Sequence, residues 1–383
     1  MGRGTPLGKE ENNMKYALSA GAFLLLGTAM ANAAGIDRSG QPVGLLWEEG
    51  DAFELSFGAV DPSISGTVAI PGVGVLGSGD MAESYNQIGL GFKKQLNDQW
   101  SVTVMYDQPF GADVAYPTGT NYPLAGTTAD LNSDGITGIA KYQINDNFSV
   151  YGGARMVSVG GDVEIYQNGA LTYTGEFANT SGTGYVAGAA YERKDIALRV
   201  ALTYSSEIDL SIPTMENGNP SLNTDVTLPD SWNLDFQSGI MADTLLFGSV
   251  RYVDWSEFDI TPFGYNLATG DSLVDYANDG MTYSLGVGRR FTDDWSAAIT
   301  LSYEESNGGL VSNLGPTDGN FGVGLGATYQ VQDNAKITFG MKWVDIGDAN
   351  TDLTPAGLPA GAIQGQFTDN SATAFGVKLV TTF

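Results

Sequence analysis

From residue 52 onward, apolar and polar positions alternate with a period of two, the pattern of strands that bury one face. The final stretch is the clearest. Phe375, Val377, Leu379, Thr381 and Phe383 fall on one side, and Gly376, Lys378, Val380 and Thr382 on the other. An apolar face toward lipid and a polar or small face toward a lumen is what a membrane-spanning barrel strand requires. The same alternation predicts strands near 52–60, 84–96, 100–110, 130–144, 148–165, 182–192, 195–210, 222–240, 244–258, 274–291, 295–306, 320–331, 335–348 and 364–383. Fourteen is an even number, as single-chain bacterial barrels require. A soluble β-sandwich also alternates, but its strands usually run to about 5–6 residues, shorter than these. The fold class predicted is all-β: a transmembrane antiparallel β-barrel of about 14 strands.

The connections divide into two kinds. Asn97-Asp98-Gln99-Trp100-Ser101, Asn145-Asp146-Asn147-Phe148-Ser149 and Thr292-Asp293-Asp294-Trp295-Ser296 repeat one formula: polar turn residues, then an aromatic where the next strand meets the membrane interface. With 192–195, 241–243 and 331–334 they make six tight turns on one rim. The opposite rim carries long connections at 61–83, 111–129, 166–181, 259–273, 307–319 and 349–363, the asymmetry of outer-membrane barrels. Two of these loops are unusually apolar. Val68, Ile70, Val73 and Leu76 in the first, and Leu353, Leu358 and Ile363 in the last, read either as a substrate-capture surface or as a lid packed on itself.

The N-terminal region reads differently. Residues 14–33 have a lysine, an apolar stretch around Leu24-Leu25-Leu26 and a small-residue site at Ala31-Asn32-Ala33, the organisation of a secretory signal peptide. Residues 1–13 read as an upstream start artefact, 34–51 as an N-terminal plug and 52–383 as the barrel. Ile36, Leu45, Leu46 and Trp47 would be out of place in a solvated tail and are expected inside the lumen. Of 383 residues, 52 are glycine and none is cysteine or histidine. That removes disulfides, thiolate chemistry and imidazole-based nucleophiles and metal sites, so no enzyme, cofactor or metal is expected. Asp130, Asn132, Asp134 and Gly135 resemble the start of a calcium loop, but Lys141 stands where a bidentate glutamate is needed. A net charge of −27 repels nucleic acid and suits divalent-bridged contact with lipopolysaccharide.

Several segments in order, Leu228-Pro229-Asp230 before Trp255-Ser256-Glu257-Phe258, together with 142–150, 184–191 and 201–207, make the chain resemble the FadL/TodX (OMPP1) family of hydrophobic-compound transporters. The resemblance implies a 14-stranded barrel with an N-terminal hatch in the bacterial outer membrane. It also implies passive uptake of long-chain fatty acids, or alternatively aromatic hydrocarbons, with sideways release at a kinked third strand. The terminal Phe383 resembles the signal read by the outer-membrane assembly machinery. The family's Asn-Pro-Ala hatch segment is missing here. An adhesin-type or purely structural barrel is the rival reading.

A fatty acid in a dry lumen needs a cation for its carboxylate. Strand alternation turns Arg155, Arg199, Lys342 and Lys378 inward, where each either meets such a ligand or pairs with lumen carboxylates. Pro109 lacks a ladder donor and Gly111 permits a bend, so Pro109, Phe110 and Gly111 mark the expected lateral exit.

Overall fold

The computed structural model describes residues 36–355 and 358–383; the predicted leader lies outside them. Fourteen antiparallel strands form the wall: β1 Ala52–Ser63, β2 Tyr85–Gln95, β3 Trp100–Asp107 resuming at Gly111–Ala115, β4 Thr128–Gln143, β5 Phe148–Gln167, β6 Ala170–Arg193 and β7 Leu198–Ser205. The rest are β8 Ser231–Met241, β9 Thr244–Val253, β10 Gly280–Arg290, β11 Trp295–Glu304, β12 Asn320–Gln332, β13 Ala335–Ile346 and β14 Asn370–Thr382. The barrel closes because β1 pairs with β2 on one side and with β14 on the other, Ala52 facing both Lys93 and Thr382. Among the described residues no helix is long and apolar enough to cross a membrane.

Each repeated turn has one physical cause. Asn97 Oδ1 accepts from the backbone N–H of Gln99 and Trp100, and Asn145 Oδ1 accepts from Asn147 and Phe148. Thr292 Oγ1 does the same for Asp294 and Trp295. The turn side chain thus replaces ladder bonds the chain cannot make while reversing. Register then places each following aromatic opposite another: Trp100 on Tyr142, Phe148 on Tyr191 and Trp295 on Tyr329, with ring centroids 4.7–4.8 Å apart. These pairs form the girdle of the short-turn rim. At the C-terminus, Phe375 and Phe383 are 55% and 67% exposed on the lipid side, and Phe383 lies beside Phe92. Deleting Phe383 removes one exposed ring and the Phe383 N–H bond to the Asp51 carbonyl. Its expected effect is a several-fold fall in protein reaching the outer membrane with the purified lumen unchanged; normal membrane levels of the truncated chain would remove any assembly role for this residue.

The outer rim departs from expectation at 166–181. That stretch is not a loop but the top of a hairpin, β5 and β6, turned by Asn168 and Gly169 at φ 51° and 83°. Asn-Gly is a strong signal for a two-residue hairpin turn, and the alternation continues through Val163, Ile165 and Tyr173, all buried. Several strand ends also move: β7 stops at Ser205, β8 starts at Ser231, β9 stops at Val253, β10 starts at Gly280 and β14 at Asn370. The residues between them form outer structure. Ile208–Ile212 pairs with Thr224–Leu228, and Phe263–Thr269 is a short helix, α1. Segments 65–70, 74–80, 310–311, 349–352 and 364–367 build a five-stranded cap.

Candidate functional site

The cap brings the two apolar loops together. Gly66, Thr67 and Val68 pair with Phe367, Gln366 and Gly365, and Val68 is fully buried. Ile70, Leu76, Leu353 and Ile363 pack on the same cluster, whose centre is Tyr116 stacked on Tyr122. Val73 and Leu358 remain outside, 67% and 56% exposed. A second anchor holds α1. Glu216 accepts from the N–H groups of Gly264 and Tyr265, the Tyr173 hydroxyl and the Ser221 hydroxyl. Burial pushes its carboxyl up, but these hydrogen bonds prevail and hold it below the usual 4.5. Its contribution to stability is therefore complete above about pH 4.5 and is lost as pH falls through the lowered value. Glu216→Ala takes the shared acceptor from two helix N–H groups, a phenol and the Ser221 hydroxyl, at about 1–3 kcal/mol. Limited proteolysis should cut near α1 faster in the variant, and an unchanged cutting rate would mean that the apolar contacts alone hold the helix.

Beneath the cap lies an upper cavity lined by Val60, Val159, Phe258, Ile260 and Tyr276, with Ile36 at its floor. The rings of Phe110, Trp255, Phe258 and Tyr276 form a contiguous cluster beside it, with centroids 5.2–6.3 Å apart.

The floor is the N-terminal segment. A buried ion pair joins Asp37 to Arg251 at 2.6 Å, and Arg251 also donates to Asn233. Arg38 pairs with Asp113 and lies over the Tyr85 ring. Lower down, Leu45 and Leu46 are buried, and Gly91 lets Leu45 approach the wall where a Cβ would collide. Half-buried Trp47 packs edge-on against Tyr151, and Lys336 binds Glu48 at 2.8 Å.

Between these anchors the segment meets the wall where the third strand breaks. The third strand is interrupted at 108–110, and the freed backbone groups are taken by the hatch: Arg38 N–H donates to the Pro109 carbonyl and Gly111 N–H to that of Ile36. Phe110 is held by the Ser133 hydroxyl, which accepts from its N–H and donates to its carbonyl. On the other flank, β2–β3 pairing ends at Leu90 opposite Tyr106. Beyond that, the wall is closed by side chains: Gln108 Oε1 accepts from Ile88 N–H, and Gln87 Nε2 donates to the Arg38 carbonyl. Sequence reasoning missed both glutamines. Yet Gln108 follows Trp100, Val102, Val104 and Tyr106 on the lipid-facing parity, where a primary amide is out of place.

A lower chamber opens at this gap. Its lining joins lumen residues, Val43, Arg155 and Ser205, to Phe57, Ile88 and Leu90, which are 42–49% exposed on the lipid face. The four inward cations do not converge. Arg155 and Lys378 line this chamber, Lys378 lying 3.8 Å from Glu54. Arg199 sits over the Trp47 ring at 4.5 Å, and Lys342 is buried in electrostatic range of Glu304. Arg155 Nη2 has no hydrogen-bond partner.

Residues 25–383 match the family model described as outer membrane protein transport protein (OMPP1/FadL/TodX). The chain belongs to this family. Solved barrels described as FadL or toluene transporters are among the structural likenesses. A Pseudomonas aeruginosa FadL homologue superposes with TM-score 0.73 at 14% identity, over 94% of this chain and 98% of that one. The Pseudomonas putida toluene transporter TodX gives 0.64 at 13%, over 95% and 97%. The Ralstonia pickettii toluene transporter TbuX gives 0.61 at 14%, over 94% and 98%. At these identities the likeness establishes the fold. No curated protein matches significantly. Family and closed barrel together make this an outer-membrane transporter of hydrophobic compounds.

Proposed function

We propose that hydrophobic molecules are captured at the outer loops, held in the upper cavity, passed beneath the hatch to the lower chamber and released sideways into the membrane, driven by their gradient. The observation that carries this reading is the lower chamber, whose lining runs from the lumen to the lipid face through the unpaired stretch between β2 and β3. A straight axial path is opposed by the hatch: buried Leu45 and Leu46, with Trp47 and Glu48 anchored beside them, block the short-turn end. Exposed Val73 and Leu358 suit the first contact with cargo, and Val68, Ile70, Leu76, Leu353 and Ile363 then act as the roof. A fatty-acid cargo would rest on Arg155, while an aromatic hydrocarbon needs no cation and is suited by the four-ring cluster.

Two measurements test the reading together. Cells given the protein should accumulate an alkylbenzene several-fold faster, while the purified barrel in a planar bilayer should pass no sustained ionic current. Steady conductance with no gain in accumulation would make it a diffusion pore instead. No current and no gain would leave a structural barrel.

A further inference from the structure

We propose that the lower chamber binds the hydroxyl of an uncharged hydrophobic molecule, a phenol or an alcohol, with Arg155 donating to its oxygen and Gln41 accepting its proton. This rests on the transport reading above and specifies its cargo.

Two buried groups in the same chamber lack partners. Arg155, 4% exposed, has Nη2 unpaired, and Gln41, 9% exposed, has Oε1 unpaired; both line the chamber. One wants an acceptor and the other a donor. A hydroxyl is the smallest group that supplies both from a single atom. Gln41 is also held in place, since its N–H donates to Ser39 Oγ, which in turn donates to Asp107.

Charge argues against the carboxylate anticipated from the sequence. The charged residues lining the lower chamber are Glu54, Asp107, Arg155 and Lys378, two of each sign, with Asp107 in electrostatic range of Arg155 and Lys378 near Glu54. A carboxylate would add an uncompensated buried charge. It would also have to cross the upper cavity, where Asp113, Asp130 and Asp162 stand side by side across three strands with Glu83 nearby. The basic residue in that lining, Arg38, is already committed to Asp113. An ammonium would pass the carboxylates but then point donors at the Arg155 donor. An uncharged hydroxyl passes the first chamber and satisfies the second.

The test uses the full-length barrel purified in detergent and four probes sharing one tail: 4-hexylphenol, 4-hexylanisole, hexylbenzene and 4-hexylbenzoate. Equilibrium binding should rank phenol about tenfold tighter than hexylbenzene, with anisole between them and benzoate weakest. Gln41→Leu should erase the phenol–anisole difference, because only the phenol donates. Arg155→Lys should bring phenol and anisole together toward hexylbenzene. Benzoate binding as tightly as phenol, or a phenol–anisole ratio untouched by Gln41→Leu, would overturn the proposal. Equal binding of the three neutral probes would overturn it while leaving the transport reading intact. No binding by any probe would overturn the transport reading itself.

Discussion

A bulky group attached at residue 108 should stop uptake and spare binding. The chain has no cysteine, so Gln108→Cys carries the only thiol and accepts a benzyl methanethiosulfonate label at that position alone. Gln108 is the side chain that bonds Ile88 N–H across the gap, and a label there stands in the only stretch where β2 and β3 share no ladder. Accumulation of a hydrophobic probe should fall at least tenfold on labelling and return on reduction. Binding to the detergent-purified protein should stay within about twofold. Leu325→Cys, exposed to lipid on the far wall, provides the labelled control. Uptake by labelled Gln108→Cys at the unlabelled rate would eliminate this exit. Filling the break by substituting Gly111 is a poorer test, because a side chain there collides with Arg38 and disturbs the hatch as well as the wall.

The second large effect concerns the latch. Arg251→Leu leaves Asp37 buried and unpaired; loss of one member of a buried pair typically costs about 3–5 kcal/mol. That cost falls on a segment whose other upper tethers are the bridge at Phe110, the Arg38–Asp113 pair and single hydrogen bonds at Arg38, Ser39 and Gly40. The segment should therefore leave the lumen rather than the barrel unfold. The expected result is new ionic conductance and rapid protease cleavage near residue 40, with barrel melting unchanged. Adding Asp37→Leu should reverse most of the effect, because the orphaned charge is then gone. A silent, protease-resistant Arg251→Leu protein would show that the ion pair does not hold the hatch.

How much of this was legible in sequence follows from how local each signal is. The strands, the short turns and the aromatic that follows each turn depend on near neighbours in sequence, and they were readable. The inward cations were also readable by parity. What parity omits is whether a lumen group has met its counter-charge: Arg251 finds Asp37 across 214 positions, and only closure of the barrel brings them together. The hatch contacts at Pro109 and Gly111 are equally non-local. By contrast, Asn168-Gly169 was a local signal overlooked in favour of a long loop, and Gln108 was a polar residue out of parity whose position already marked the break in the ladder.

The unequal height of the wall has its own consequence. A spanning strand needs about 9–11 residues, whereas β5 has 20 and β6 has 24, beside 8 in β7 and 10 in β9. At about 3.3 Å per residue, the tall hairpin projects roughly 30 Å beyond the lipid. The strands that follow it, β7 to β11, have only 8–11 residues and leave the wall lower beside the hairpin. A molecule arriving over that lower stretch would meet the hairpin as a backstop. That backstop rises two strands from the broken one, so on the proposed route the wall that halts the molecule would also overlook its exit.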